Sequence, residues 1–248
     1  MTLPFDMGVG AAAFMALAVL VAAFVRGYSG FGFSALVVTA ASLVTNPLYF
    51  VAVVMFCEFL MTFQQWRGVG RDVDWGRVGA LMLGGIVGVP LGLWAITQVP
   101  VDTARALIAG YVLLMCAVLA MGGKLQRDQG FVAHTSVGGF AGLANAVGMA
   151  GLPVATYFTA QGMSAAVFRA TLIAYFAILD IFTAPVMWWH GLVTWDTGKA
   201  VLLALPIMGL GIWAGGRHFL RTDPQDFRVF AIGLLAVLAG FGLLKAVV

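Results

Sequence analysis

Charged residues are scarce in this sequence: Lys, Arg, Asp and Glu make up 9% of its 248 residues, and 62% are hydrophobic. A soluble domain carries about a quarter charged residues. Apolar runs of roughly 15 to 25 residues recur along the whole chain, and such runs have the length of membrane-spanning helices. The composition excludes an ordinary soluble protein and predicts an all-α integral membrane protein with no soluble domain beside the spans.

Cysteine motifs, catalytic motifs and metal-ligand spacings are also missing. Cys57 and Cys116 are isolated in apolar runs, so neither a disulfide framework nor a redox motif is indicated. His134, His190 and His218 form no His-x-x-x-His or Glu-x-x-His pair, and no nucleophile elbow or phosphate-binding loop occurs. These absences argue against an enzyme, a metal site and a bound cofactor. The net charge of +3 reports membrane orientation and gives no indication of nucleic-acid binding.

Ten apolar segments follow one another along the chain. They cover approximately residues 8–26, 30–45, 48–66, 76–96, 103–121, 131–147, 149–161, 165–189, 199–216 and 226–247. The second and the seventh are shorter than the about 20 residues that a span needs. All seven Trp lie near segment ends, as expected for side chains at a membrane interface. The sequence therefore predicts about ten transmembrane segments, two of them short or broken.

The two halves of the chain repeat each other. Matching residues are 119 to 123 positions apart: Gly32 with Gly151, Trp75 with Trp195, Gly88 with Gly211, Arg105 with Arg228, and Gly110 with Gly233. We interpret residues 1–121 as a first membrane repeat, 122–130 as a cytoplasmic linker loop and 131–248 as a second repeat. Since each repeat has an odd number of segments, the two are expected to lie inverted in the membrane, as in many secondary transporters.

The basic residues agree with ten crossings and an outside N-terminus. With that topology, ten Lys and Arg lie at inner loops and three at outer ones. The inner set is Arg26, Arg67, Arg71, Arg77, Lys124, Arg127, Arg169, Arg217, Arg221 and Arg228; the outer set is Arg105, Lys199 and Lys245. An eight-span alternative, in which segments two and seven enter and leave on one side, divides them six against seven. Only the ten-segment topology satisfies the positive-inside rule.

Each short segment starts at a glycine-rich break, and irregular backbone in lipid is tolerated only within protein or along a cavity. Helix N-termini carry unpaired N–H groups and a positive partial charge, and glycine lets a ligand approach them, so the breaks predict an anion site. The alternative is that these glycines only permit close helix packing. The candidate binding residues are Ser29, Gly30 and Gly32 at the first break and Asn145, Gly148 and Gly151 at the second.

Four charged residues extend this site. Arg26 and Arg169 match the geometry of an oxyanion, but each also fits an arginine that snorkels to the headgroups. Glu58 and Asp180 are the only carboxylates well inside apolar runs, 122 positions apart. An ionised carboxylate at that depth costs about 2.5 to 3.5 kcal/mol, so each should be protonated, paired or in water. We interpret them as proton-coupling residues, with an ion pair to Arg26 or Arg169 as the alternative.

These motifs resemble the TauE/SafE family of sulfite-exporter-like permeases. Residues 29–33, Ser-Gly-Phe-Gly-Phe, with the apolar run to Asn46-Pro47, are similar to the first family motif. Gly148-x-x-Gly151-x-Pro153 with residues 168–172, Phe-Arg-Ala-Thr-Leu, is similar to the second. The sequence departs from the family pattern at Leu152, where a glycine is frequent, and at Arg26 and Asn145, where some relatives have an acidic residue.

The resemblance implies a multi-pass carrier of the bacterial inner membrane that exports a small organosulfur anion such as sulfite, sulfoacetate or a related sulfonate. Its expected partners are that anion, protons and the lipid bilayer, and an oligomer is left open. Three alternatives remain at this point. The chain is an uptake permease, an anion channel, or a non-transporting membrane scaffold.

Overall fold

The computed structural model describes residues 3–65, 70–121, 125 and 129–219, and within them it contains helices and no strand. A short 3-10 helix, Pro4–Asp6, precedes nine α-helices. They are α1 (Val9–Ser29), α2 (Phe33–Val44), α3 (Pro47–Gln65), α4 (Trp75–Thr97), α5 (Val101–Met121), α6 (Phe131–Asn145), α7 (Gly151–Ala160), α8 (Ala165–Trp189) and α9 (Trp195–Phe219). The tenth predicted segment, 226–247, lies outside the described residues.

Five of these helices are long and apolar enough to cross a membrane: α1, α4, α5, α8 and α9. α2 and α3 are apolar but shorter in this respect, and α7 has only 10 residues. The sequence predicted that two segments, the second and the seventh, would be short, and α2 and α7 have 12 and 10 residues. The sixth was expected to have full length, but α6 has only 15 residues. The helices begin and end within a few residues of the predicted segments, because hydropathy and glycine positions dominate these boundaries.

Glycine allows two pairs of helices to approach until their backbones touch. On α4, a Cβ added at Gly84 would collide with the Thr135 carbonyl of α6, and one at Gly88 with the Gly139 carbonyl. α1 and α9 approach in the same way, since a Cβ at Gly215 would collide with the Phe24 carbonyl. Small residues are what membrane helices use for such packing. The two most extensive helix contacts of the structure are therefore α4 with α6 and α1 with α9.

One end of the bundle, here named the linker end, contains Leu125, the end of α7 and the beginning of α8. The Leu125 amide donates a hydrogen bond to the Ala160 carbonyl at 2.8 Å. The Asp74 amide, just before α4, donates to the Thr171 hydroxyl of α8 at 3.1 Å. These bonds place Asp74 and Leu125 on the same side of the bundle.

The opposite end, here named the N-terminal end, carries the 3-10 helix, the α2–α3 junction and the beginning of α5. Phe5 stacks on Tyr49 with ring centroids 5.0 Å apart. Arg105 Nη2 donates to the Thr45 carbonyl at 3.1 Å. α1 begins at this end, and its last turn contacts Arg169 near the beginning of α8, so α1 runs towards the linker end. The described helices thus alternate in direction.

Candidate functional site

A small cavity lies midway along the bundle, between α3, α8, the beginning of α2 and the junction of α6 with α7. On α3 it is lined by residues 51, 54, 55 and 58, which share one helix face, and on α8 by residues 176, 180 and 187. It has room for about one water molecule. The cavity is therefore too small to hold a sulfonate in this conformation.

The strongest polar interaction at the cavity joins α1 to α3. Arg26 Nη1 donates to Glu58 Oε1 at 2.8 Å, and neither residue is more than 6% exposed. The Ser34 hydroxyl at the beginning of α2 donates to the same oxygen at 3.1 Å. Three helices thus meet at one carboxylate. Because two donors neutralise this group, the ion-pair alternative proposed from the sequence describes Glu58 in this conformation.

Arg26 retains donors beyond this pair. Its Nε and Nη2 are buried and have no hydrogen-bond partner, and its guanidinium carbon lies 5.4 Å from the centre of the Phe176 ring. A cation above an aromatic face is stabilised, by about 2 kcal/mol or more when it is desolvated. Arg26 is 0% exposed, so it does not snorkel to the headgroups. Its free donors are available to an acceptor that reaches them.

Asp180, the second carboxylate that the sequence singled out, has a different environment from Glu58. It lines the cavity from α8, is 4% exposed, and its Oδ2 has no hydrogen-bond partner. Close to it, Asn145 Nδ2 donates to the Thr183 hydroxyl at 2.9 Å, and that hydroxyl donates to the Leu179 carbonyl. Glu58 and Arg26 are near enough to act electrostatically on Asp180. The cavity therefore holds one paired and one unpaired carboxyl group.

The second glycine break opens onto the cavity. Asn145 ends α6, and Gly148 and Gly151 line the cavity together with Ala150. Gly148 has φ of +71°, which L side chains rarely adopt, so glycine is required for this turn. α7 begins at Gly151, and the first-turn amides of a helix have no intrahelical acceptor. The positive end of a short helix thus points at the cavity.

The first break has a different position. Ser29 is the last residue of α1, and Gly30 and Gly32 take φ of +84° and +92° before α2 begins. A Cβ at Gly30 would lie 3.0 Å from Arg169 Cγ, and one at Gly32 would lie 3.5 Å from Val25. Of the α2 start, only Ser34 reaches the cavity lining. The first break therefore packs on Arg169, on the linker-end side of the cavity.

Arg169 connects the beginning of α8 to this break. Its Nη2 donates to the Gly27 carbonyl at 3.1 Å, and its side chain is partly buried. Next to it, Phe168 contacts Phe31 edge-on, with centroids 6.1 Å apart, and Phe158 edge-on, with centroids 6.4 Å apart. Phe168 precedes Phe176 by two helical turns, which is about 12 Å along α8. The rings of Phe31, Phe158 and Phe168, here named the aromatic layer, lie near the beginning of α8, towards the linker end.

Among known protein families, the model described as sulfite exporter TauE/SafE matches residues 15–241. The chain belongs to the TauE/SafE family. Neither a curated protein nor a solved structure is detectably similar to it. Five apolar helices of spanning length agree with the family, so this is a multi-pass membrane protein of a sulfite exporter-type transporter family.

Among the cavity residues of this TauE/SafE chain that were not singled out from the sequence, Ser34 and Phe176 are the ones that take part in the polar interactions around Glu58 and Arg26. Ser34 lies one turn after Gly30, and its hydroxyl could have been recognised as the only polar group at the beginning of an apolar helix. Phe176 lies one turn before Asp180, on the same face of α8. The sequence does not indicate its contact with Arg26, because aromatic residues are common in this chain and most of them face lipid or the protein core.

Proposed function

We propose that this protein is a secondary transporter that exports a small organosulfur anion, such as sulfite, sulfoacetate or a related sulfonate, across the bacterial inner membrane with coupling to protons. The observation that carries the proposal is the small polar cavity at mid-bundle. Two carboxyl groups and the first residue of a short helix line it, and an arginine with free donors lies beside two of its lining residues, Glu58 and Phe176. Membership of the family supports a transport function, and the groups around the cavity support an anionic substrate.

The anion would be bound by groups that remain available around the cavity. Arg26 Nε and Nη2 are unpaired, and guanidinium donors fit the oxygens of a sulfonate. The Gly151 amide at the beginning of α7 would add a donor at the favourable end of a helix dipole, since the Leu152 amide already donates to the Met149 carbonyl and Pro153 has no amide hydrogen. Arg169 would contribute from the linker end once its bond to the Gly27 carbonyl opens. We assign the substrate site to these groups together with Ser29, Gly30, Gly32 and Asn145.

Two inverted five-helix repeats are part of the proposal. An exchange of the two proposed repeats would convert the α4–α6 contact into the α9–α1 contact, and both are close glycine-lined pairs. The same exchange converts α3–α9 into α8–α4, and these contacts are equally extensive. Glu58 on α3 and Asp180 on α8 become equivalent. The proposed repeats are residues 1–121 and 131–248, joined by the loop 122–130.

In alternating access, the cavity would open towards one side of the membrane while it is closed towards the other. Towards the linker end, the aromatic layer and Arg169 would close the cavity. The positive-inside rule puts the linker end in the cytoplasm. Leu125→Cys should therefore react with an impermeant thiol reagent only from the cytoplasmic side, and Asp102→Cys, on a side chain 76% exposed, only from the periplasmic side. The reverse pattern would contradict the proposed orientation.

Flux in proteoliposomes tests the function itself. We expect saturable movement of labelled sulfite or sulfoacetate that responds to an imposed pH gradient. Movement that never saturates would indicate the alternative of an anion channel. An absence of flux for all sulfur oxyanions, from protein that binds none of them, would contradict transport and favour the scaffold alternative. The substrate concentration that gives half-maximal flux is compared between the two sides of the membrane, and the side that requires the higher concentration distinguishes export from uptake.

A further inference from the structure

The charges around the cavity are unequal in number. Arg26 contributes one positive charge, while Glu58 and Asp180 contribute two negative charges if both are ionised. Asp180 Oδ2 receives no hydrogen bond, although the residue is almost fully buried. A buried carboxylate oxygen without a donor is expensive, because no hydrogen bond compensates for its lost solvation.

The neighbouring helices bring no second cation to this level. Among the described residues, α4 packs on α8 here through Gly85, which lies near Leu179 and the Tyr175 hydroxyl. α6 brings the neutral amide of Asn145, and α7 brings backbone at Gly151. The Tyr175 hydroxyl is buried on α8 itself and has no partner.

The remaining charged groups nearby lie towards the linker end. Arg169 precedes Asp180 by eleven residues, about 16 Å along α8. It is bonded to the Gly27 carbonyl. His134 is bonded to Tyr157 at 2.7 Å, between α6 and α7, and neither lines the cavity. The charge imbalance is therefore local to Arg26, Glu58 and Asp180.

We infer that the cavity binds its anion together with one proton, and that Asp180 carries this proton while Glu58 remains in its pair with Arg26. This inference rests on the proposed function. With Asp180 protonated, the cavity is neutral before the anion enters and has one negative charge afterwards, opposite the free donors of Arg26. With Asp180 ionised, the same monoanion would enter a site that is already negative. Binding of the anion and binding of the proton must then favour each other reciprocally.

Glu58 is the less suitable proton carrier because its Oε1 already accepts from Arg26 and Ser34. Protonation there would remove the acceptor of a buried ion pair and leave Arg26 uncompensated. The two carboxyl groups therefore have different roles. Glu58 is a positioning residue that holds Arg26, α1 and α2 at the cavity.

Transport of a monoanion would consequently be electroneutral. One proton and one negative charge would cross together, so the membrane potential would neither drive nor oppose the movement. The direction of net transport would follow the product of the anion and proton concentration ratios across the membrane. Export would occur when the ratio of cytoplasmic to periplasmic anion concentration is larger than the ratio of periplasmic to cytoplasmic proton concentration.

The direct experiment counts protons on purified full-length protein. Methanesulfonate and sulfite are added at several pH values in weakly buffered solution, and proton uptake is recorded with a pH electrode. Mes and Hepes are avoided because they are sulfonates themselves. We expect about one proton taken up per methanesulfonate, and a dissociation constant that rises about tenfold per pH unit where Asp180 is ionised in the free protein. Binding with no proton uptake would overturn the inference and leave the proposed function intact; an absence of binding to every sulfur oxyanion would overturn both.

Two variants make the assignment specific. Asp180→Asn should bind methanesulfonate with an affinity that no longer varies with pH and with no proton uptake. Asp102→Asn, an exposed carboxylate at the beginning of α5, is the matched control and should keep both. If Asp180→Asn fails to fold, the proton count on the unmodified protein still decides whether a proton is bound. Proton uptake retained in folded Asp180→Asn would overturn the assignment to Asp180.

Two further measurements concern the coupled ion. Methanesulfonate flux into proteoliposomes should be the same at zero and at negative potential set with valinomycin and potassium. A flux that changes with potential as expected for one uncompensated charge would overturn electroneutrality. Replacing sodium by choline should leave the affinity unchanged, and an affinity that follows sodium rather than pH would overturn the proton in favour of a metal cation.

Discussion

Arg26 on α1 and Glu58 on α3, which are 32 residues apart in sequence, form a buried ion pair of 2.8 Å whose carboxylate also receives the Ser34 hydroxyl of α2. This single carboxylate joins the first three helices. It also orients the guanidinium so that its other donors remain buried beside the Phe176 ring. The pair is thus both a packing element and the frame of the proposed anion site.

Arg26→Gln should destabilise the protein strongly because it leaves the Glu58 carboxylate buried with one neutral donor. The loss of one partner of a buried pair costs about 3 to 5 kcal/mol. Glu58→Gln should be comparably harmful, whereas the double variant should recover much of the loss, since two neutral amides replace two charges. Thermal unfolding of all four proteins in one detergent measures the coupling. Additive effects of the two single substitutions would contradict a direct pair.

Gly88→Ala should weaken the α4–α6 contact, since the new methyl group would collide with the Gly139 carbonyl. Overpacking of this kind costs about 1 to 3 kcal/mol. Gly79→Ala is the matched control on the same helix, because a Cβ there meets nothing within 4 Å. It should be neutral or stabilising by up to about 1 kcal/mol, from helix propensity alone. Equal unfolding temperatures for both variants would show that α4 can move away from α6 without loss.

Arg169→Ala should abolish sulfonate binding and leave expression close to normal. Its bond to the Gly27 carbonyl holds the first break, but the side chain is only partly buried. Arg217→Ala is the control, since Arg217 lies over the Trp213 ring, 4.2 Å from its centre, and is exposed. Calorimetric titration with sulfoacetate compares the two. Unchanged affinity in Arg169→Ala would assign this residue to membrane orientation only.

Gly30→Ala combines two penalties that a second glycine separates. Its φ of +84° costs a non-glycine residue about 1 to 2 kcal/mol, and the methyl group would press on Arg169 Cγ at 3.0 Å. Gly162→Ala has the same backbone penalty, at φ of +67°, with nothing within 4 Å. We expect both to lower the unfolding temperature but only Gly30→Ala to reduce sulfonate affinity. An equal affinity in the two variants would argue against a link between the first break and the site.

Phe168→Ala should open the aromatic layer towards the linker end. In a background with Cys57 and Cys116 replaced by serine, Ser34→Cys reports access to the cavity, and an impermeant thiol reagent on the linker-end side should label it faster in the Phe168→Ala variant. Phe131→Ala is the control, because that ring is 61% exposed at the beginning of α6. Labelling that does not accelerate would place the barrier elsewhere.

Hydropathy and glycine were sufficient to locate the helices. The short α2 and α7 follow breaks that glycine marks in the sequence, and Trp75 and Trp195 are the first residues of α4 and α9. The candidate carboxylates were recognisable because a charge inside an apolar run is rare. Asp180 and Glu58 both line the cavity, on α8 and α3.

The direction in which the Arg26 side chain points could not be predicted from the sequence. It lies in the last turn of a helix that is apolar on all sides, so no amphipathic pattern shows which face it occupies. Its partners Glu58 and Phe176 come from α3 and α8, and which helices lie together is a property of the folded bundle. For the same reason, the sequence treated the two breaks as equivalent, whereas Gly151 lines the cavity and Gly30 packs on Arg169.

The close glycine contacts join helices from opposite halves of the chain: α4 finds its principal neighbour in α6, and α1 finds its own in α9. During synthesis, α1 therefore has to wait in the bilayer until nearly the whole polypeptide has been inserted. A chain cut at the 122–130 loop would produce two fragments with their best surfaces unmatched. Co-expressed, such fragments should rescue each other, because each half carries the surface that the other half needs for its packing.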